Sequence, residues 1–286
     1  GHAYTTIAAD VLARYHRAAG SSVHFLIGTD ENAQKNVESA PAEDRESVQK
    51  YVDDMSKTWE QTWDHLGITH DDFIRTTEER HKKTVEKFWN DCLENGDIYK
   101  DTYTGLYCTG CEGYKTEQDL VDGLCADHKR EPEKLSEENY FFRFSKYQQQ
   151  LLDYFEKHPD FIKPKSRRNE VIAFVRDHGK DFSISRKNSE WGIAVPGDHS
   201  QTIYVWFDAL INYISALGYG TENQALFEKF WPADLHLVGK DIIKFHCAYW
   251  PAMLLSAGVP LPKSVYAHGF FTVDGQKMSK TIGNVV

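Results

Sequence analysis

The sequence predicts an α/β protein built on a parallel sheet that a module of different character interrupts. Up to about residue 96, short apolar runs alternate with stretches of helical periodicity. That is the pattern of strands joined by crossover helices. Between residues 98 and 139 turn residues become frequent, strands are expected to be short, and candidate metal ligands gather. From residue 202 the alternation resumes.

Residues 3–19 carry Ile7, Val11, Leu12 and Tyr15 at helical spacing, and Gly20 punctuates the run. Residues 23–27 form a short buried strand leading into Gly28-Thr29-Asp30-Glu31. Residues 41–66 are polar and helix-prone, 72–75 read as a strand, and 81–95 read as a helix stopped by Gly96. After the module a helix is expected over 145–157 and another from Arg168, with Pro159 and Pro164 between them. Residues 202–207 and 235–238 are apolar strands, each followed by a helix. Residues 265–269 and 270–273 are strands, and Asp274-Gly275 is a tight hairpin turn.

The 286 residues accommodate one large domain or two to three small ones. Hydrophobic residues at 41% suffice for a core. A formal net charge of -10 excludes bulk electrostatic binding to DNA or RNA. No apolar run spans a membrane, and no signal peptide opens the chain. Five cysteines do not make a disulfide scaffold, so the reducing cytoplasm is the expected compartment. The chain opens on Gly1 without an initiator Met and closes in an unfinished apolar stretch at Val286, which reads as a segment of a longer protein.

Cys108 and Cys111, then Cys125 and His128, form a CxxC…CxxH pattern with 13 residues between the pairs. Two intervening residues let one tight turn aim both side chains at a single ion. Three thiolates and an imidazole close a tetrahedral shell suited to zinc, leaving no open position for substrate. The expected zinc is therefore structural. Cys92 and Cys247 lie in helical stretches and read as core thiols.

Gly1-His2 begins the first helix, whose N-terminal end favours anions. Lys277-Met278-Ser279-Lys280 follows the hairpin and suits a clamp on a polyphosphate. The plainer alternatives are a surface histidine and a lysine-rich surface loop. Asp30, Trp206-Phe207-Asp208 and Gly239-Lys240-Asp241 each follow an expected strand, and parallel sheets bind ligands at such ends. Asp241 is either a ribose contact or a helix N-cap. Agreement among the three ends favours a ligand site.

Together these motifs make the chain similar to the class I aminoacyl-tRNA synthetases, in their methionyl branch. Gly1-His2-Ala3 resembles the second half of the first class signature, His-Ile-Gly-His. Lys277-Met278-Ser279-Lys280-Thr281 resembles the second, Lys-Met-Ser-Lys-Ser. The methionyl branch is also matched by Gly28–Glu31, the cysteine knuckle, Asn139-Tyr140-Phe141-Phe142-Arg143, Arg168-Asn169-Glu170-Val171, Ser183-Ile184-Ser185-Arg186, Tyr204–Ala209 and Gly239-Lys240-Asp241 to Phe245-His246. Only 274 residues separate His2 from Lys277, too few for the editing insertion of the leucyl, isoleucyl and valyl relatives.

The resemblance implies a Rossmann-like, doubly wound parallel sheet interrupted by a zinc-knuckle module. Residues 1–96 would be the first half of the catalytic domain without its first strand. Residues 97–201 would be the connective insertion, 202–269 the second half, and 270–286 the start of the region bearing the lysine loop. The implied activity joins methionine to ATP, with magnesium, and passes the adenylate to the acceptor stem of tRNA(Met). His2 and Gly1 would meet the ATP phosphates, Lys277 and Lys280 the leaving pyrophosphate, and Gly239 and Asp241 the ribose. Asp30 would take the methionine ammonium, oriented by Arg186. Trp206, Ala209, Leu210, Tyr213, Ile242, Phe245 and His246 would line the side-chain pocket, with Tyr213 and His246 as polar contacts to the sulfur. No DNA or membrane partner is implied.

The chain departs from that pattern in places. Asn32 stands where the family usually has His, and Leu210 where Pro is common. A central strand ahead of Gly1 and a helical anticodon-binding domain beyond Val286 are expected outside the chain. These residues alone are therefore expected to be impaired in adenylation. The competing readings are a non-catalytic synthetase-like tRNA-binding or regulatory protein, a nucleotidyltransferase of the same fold, and a zinc-ribbon binding module. The basic clusters at residues 80–83 and 163–168 read either as tRNA contacts or as solvated faces.

Overall fold

The structure is a computed structural model, and it describes residues 2–109, 113–115, 120–126, 129–187 and 190–278. The chain runs α1 (His2–Ala18), β1 (Leu26–Thr29), α2 (Gln34–Ser39), α3 (Arg45–His65), β2 (Asp72–Arg75) and α4 (Glu79–Glu94). It continues with β3 (Ile98–Cys108), β4 (Gly113–Lys115), β5 (Leu120–Val121), β6 (Leu124–Cys125) and β7 (Glu133–Phe142). Next come α5 (Gln148–Lys157), β8 (Ile162–Lys163), α6 (Lys165–His178), β9 (Phe182–Ser183), β10 (Ser185–Lys187), β11 (Ala194–Val195) and β12 (Asp198–Ile203). The last part holds α7 (Val205–Leu210), α8 (Asn212–Ser215), α9 (Ala225–Phe230), β13 (His236–Gly239), α10 (Trp250–Ser256), β14 (Val265–His268), β15 (Thr272–Val273) and β16 (Gln276–Lys277).

The expected parallel pairing is present, but in two pieces. β1 pairs with β2, and β13, β14 and β8 form a second parallel sheet. Among the described residues no strand joins them into one doubly wound sheet. β1 and β2 approach so closely that a Cβ on Gly28 would sit 2.1 Å from the Ile74 carbonyl oxygen. Only glycine fits there. α1 bridges the two pieces: Arg17 holds Thr69 and Asp71 beside β2, while Thr5 Oγ1 lies 2.7 Å from His268 Nε2 on β14. The apolar stripe that marks α1 in the sequence is not the side it buries. Val11 is 60% and Tyr15 67% exposed, whereas Asp10 and Ala13 face inward. Asp10 accepts from Thr69 N and Oγ1 and from Arg14, and these bonds set the helix rotation.

α4 buries His81, Thr84, Val85, Phe88, Trp89 and Cys92, one helical face, against the main core. That core joins α4 to α5, α6, α7, α10 and the β13–β14–β8 sheet. A smaller cluster of Ala13, Phe25, Trp63 and Ile68 lies under β1 and β2. Cys92 and Cys247 are both fully buried thiols, and burial pushes the Cys92 pKa up to about 12.

Two sequence expectations are corrected. The strands after residue 98 are not all short. β3 and β7 pair antiparallel from Ile98↔Phe142 to Tyr107↔Glu133, a ribbon roughly 33 Å long. β-branched and aromatic residues sustain such pairing. Nor does the strand before Trp206 belong to a parallel sheet. β12 turns back on β11 through Pro196-Gly197, with φ of 77° at the glycine, and is therefore antiparallel. It ends at Ile203, so Trp206 and Asp208 lie on α7.

Candidate functional site

Asp30 leaves the C-terminal end of β1 and is exposed, with Oδ1 accepting from Asn32 N at 3.4 Å. Its neighbour Glu31 anchors this loop. The Glu31 carboxylate is 3% exposed and accepts from Thr29 Oγ1, Thr77 Oγ1 and the Arg75 guanidinium, at 2.8 Å for Arg75 Nε. The Glu31 carbonyl accepts from Trp191 Nε1 at 2.8 Å and Asn36 Nδ2 at 3.0 Å. Asn32 Nδ2 donates to Asp208 on α7 at 2.6 Å. The residue carrying the exposed carboxylate is thus held from both sides.

The predicted aromatic residues fall into two groups around β13 and the turns that follow it. Trp206 and Phe245 stack with centroids 3.8 Å apart and planes 9° from parallel. Tyr213 Oη lies 2.7 Å from His246 Nε2, and His246 Nδ1 lies 3.0 Å from the Ile242 carbonyl oxygen. Burial lowers the His246 pKa to about 4, so at neutral pH the ring carries one proton. A carbonyl only accepts, so that proton sits on Nδ1 and the Tyr213 hydroxyl donates to Nε2. Each group's single proton is committed, and a thioether sulfur reaching this pair must displace one of these bonds. Phe245 and His246 lie in the π-helical turn Phe245–Tyr249 that leads into α10. Ala209 is buried, and Leu210 is sealed in the main core. Arg186, on β10, donates to Ser183 Oγ and the Ser185 carbonyl, with its guanidinium 4.0 Å from the Tyr204 ring centroid.

The remaining predicted motifs lie near the C-terminal ends of β13 and β14. Gly239 is paired in register with His268, and a Cβ on Gly239 would lie 2.4 Å from Asp241 Oδ1. Asp241 sits inside a short 3-10 turn rather than capping a helix. Thr5 holds His268, and Tyr4 packs edge-on against His268 and Phe271, each at 4.9 Å. Met278 N donates to the Phe271 carbonyl and closes the base of the β15–β16 hairpin, which carries the Lys277 backbone, and the Phe271 contact with Tyr4 sets that base beside the same end. The Asp274-Gly275 turn has φ of 51° and 78°, the two-residue geometry the sequence predicts. His2 begins α1 with its ring 5.4 Å from Trp59. Gly1 and Lys280 lie outside the described residues.

Cys108 ends β3 and Cys125 ends β6, each opening a turn, both buried and neither in a disulfide. Cys111 and His128 lie outside the described residues. Among the described residues no three candidate metal ligands lie together.

Sequence reasoning missed His81. The Arg80–Lys83 run reads as a basic patch, but His81 is fully buried, Arg80 is paired with Asp72 and Glu78, and Lys82 with Glu79. In the other basic cluster, Arg168 donates to the Phe155 carbonyl and Arg167 pairs with Glu170.

The whole sequence matches the family described as tRNA synthetases class I (M), over residues 1–130 and 112–286. The methionine–tRNA ligase of Caldanaerobacter subterraneus is 51% identical over 286 residues, all of this chain and 45% of that protein. That of Thermotoga maritima is 49% identical over 290 residues, again across all of this chain and 46% of that protein. A crystal structure of Mycobacterium tuberculosis methionyl-tRNA synthetase bound by methionyl-adenylate superposes with a TM-score of 0.93 at 41% identity, covering 100% of this chain and 57% of that one. The chain therefore spans about half the length of the relatives it matches.

Proposed function

The chain belongs to the methionyl group of the class I tRNA synthetases, and on that premise we propose that the full-length protein activates methionine with ATP and transfers it to the acceptor stem of tRNA(Met). The observation that carries the reading is the meeting of the α1 N-terminal turn, Gly239, Asp241 and the Lys277 hairpin at one sheet end, with the Trp206–Phe245 stack beginning four residues beyond Asp241. Gly239 admits a nucleotide close to the backbone, and Asp241 receives the ribose hydroxyls. Gly1 and His2 hold the ATP phosphates at the positive end of α1. Lys277 and Lys280 neutralise charge on the departing pyrophosphate. Magnesium, arriving with ATP, would further spread that charge. The methionine carboxylate attacks the α-phosphate, so the protein supplies no nucleophile and works by alignment and charge.

Asp30 binds the methionine ammonium, with Arg186 orienting it. Trp206, Ala209, Tyr213, Ile242, Phe245 and His246 enclose the side chain, and Leu210 backs that wall from the core. Cys108, Cys111, Cys125 and His128 hold one structural zinc that closes the ribbon tip, supported by the two buried thiols there. The domain division at residues 96, 201 and 269 belongs to the same reading. So does one continuous doubly wound sheet in the full-length protein, which the exposed apolar face of α1 and the two parallel pieces support. A cytoplasmic setting keeps the thiols reduced.

The test is amino-acid-dependent ATP–pyrophosphate exchange by the full-length protein across the twenty amino acids. Exchange with methionine alone, from a preparation carrying one zinc per chain, is expected. No exchange from folded protein returns the non-catalytic reading, and exchange with another amino acid shows the pocket misread.

A further inference from the structure

Asp208 is a fully buried carboxylate on α7, and each of its oxygens has one donor from a different part of the chain. His81 Nε2, at the start of α4, meets Oδ1 at 2.5 Å, and Asn32 Nδ2, beyond β1, meets Oδ2 at 2.6 Å. His81 Nδ1 lies 2.8 Å from Ser215 Oγ on α8, and Asn32 Nδ2 also reaches the Thr76 carbonyl at 3.3 Å. A buried carboxylate is costly unless its oxygens are satisfied, so this arrangement holds its partners in one geometry. Those partners are not arbitrary core positions. Asn32 is two residues from Asp30, Asp208 is two residues from Trp206, and Ser215 is two residues from Tyr213.

We propose that Asn32, Asp208 and His81 form a positioning clamp that sets the distance between the ammonium-binding carboxylate and the aromatic wall, and so selects amino acids by side-chain length. The inference rests on the methionine-activation reading above. It also gives Asn32 a purpose: an amide N–H suffices to hold Asp208, without a titrating group. Asn32 and His81 touch no substrate and act through Asp30, Trp206 and Tyr213.

The test measures pyrophosphate exchange by the full-length protein with methionine and with ethionine, one methylene longer. Asn32→Ala is expected to raise the methionine KM about tenfold, the scale of one hydrogen bond to a charged group. The preference for methionine over ethionine falls, while the ATP KM stays within about twofold. Asn32→His restores both, because a ring N–H reaches the same carboxylate. Should Asn32→Ala not fold, the isosteric Asp208→Asn carries the same comparison. Its amide accepts from one partner and turns a donor toward the other. Equal loss of kcat for both amino acids with KM unchanged, or wild-type behaviour, overturns the clamp alone. A wild-type protein without methionine-dependent exchange overturns the functional reading and the clamp together.

Discussion

The two parallel pieces of this molecule are built by different means. The β13–β14–β8 sheet sits in a continuous apolar core with Phe88, Trp89, Phe207 and Trp250. The β1–β2 pair packs on the small cluster of Ala13, Phe25, Trp63 and Ile68, buries Ile74 of β2 itself, and is otherwise wired by polar contacts: Asp10 to Thr69, Arg17 to Asp71, Arg75 to Glu31 and Asn32 to Asp208. Apolar burial is non-directional, whereas hydrogen bonds hold particular atoms at particular distances. The second piece is thus the source of stability. The first, which carries Asp30, is the source of registration.

The largest effect expected from that contrast is in the second piece. Phe88→Ala removes a fully buried ring packed near Phe207 and Trp250, and should cost about 3–5 kcal/mol in chemical denaturation. A smaller loss would show that the core is not the main support. Next comes Glu31→Ala, which leaves Arg75 with only Asp53 among its present acidic partners. It should cost about 2–3 kcal/mol, and hydrogen exchange should rise in β1 and β2 while β13 and β14 stay protected. Uniform loosening of both sheets would erase the distinction.

The smallest effect is the pH response of Asp10. Burial alone would raise its pKa, but hydrogen bonds from Thr69 and Arg14 outweigh it and hold the carboxyl below its ordinary value. A depressed pKa contributes stability that is fully present above the unfolded value, about pH 4, and is lost as the pH falls through the folded one. Asp10→Asn should therefore flatten the acid limb of a thermal-melt series below about pH 4, leaving its shape near neutrality unchanged.

Features set within a few residues were legible in the sequence. The Asp274-Gly275 hairpin, the β2 boundaries at Asp72 and Arg75, and the stop of α4 before Gly96 each follow from local backbone preference. The strand ending at Ile203 reads from sequence as part of the parallel sheet, because an apolar run looks the same in parallel and antiparallel pairing, and only the fold pairs it antiparallel. His81 was hidden for a similar reason. Its basic neighbours suggest a surface, and only packing against α7 and α8 reveals a buried donor.

The sequence by itself determined the family, the helix and strand alternation and the cysteine spacing. These are properties of residue type and short-range order. Tertiary structure decided which side of α1 is buried, how long the β3–β7 ribbon runs, that the one proton on His246 is already committed to Ile242, and that Asn32 reaches Asp208 across 176 positions of chain. A hydrogen bond between distant segments depends on where the fold brings its two atoms, and no local pattern encodes that distance.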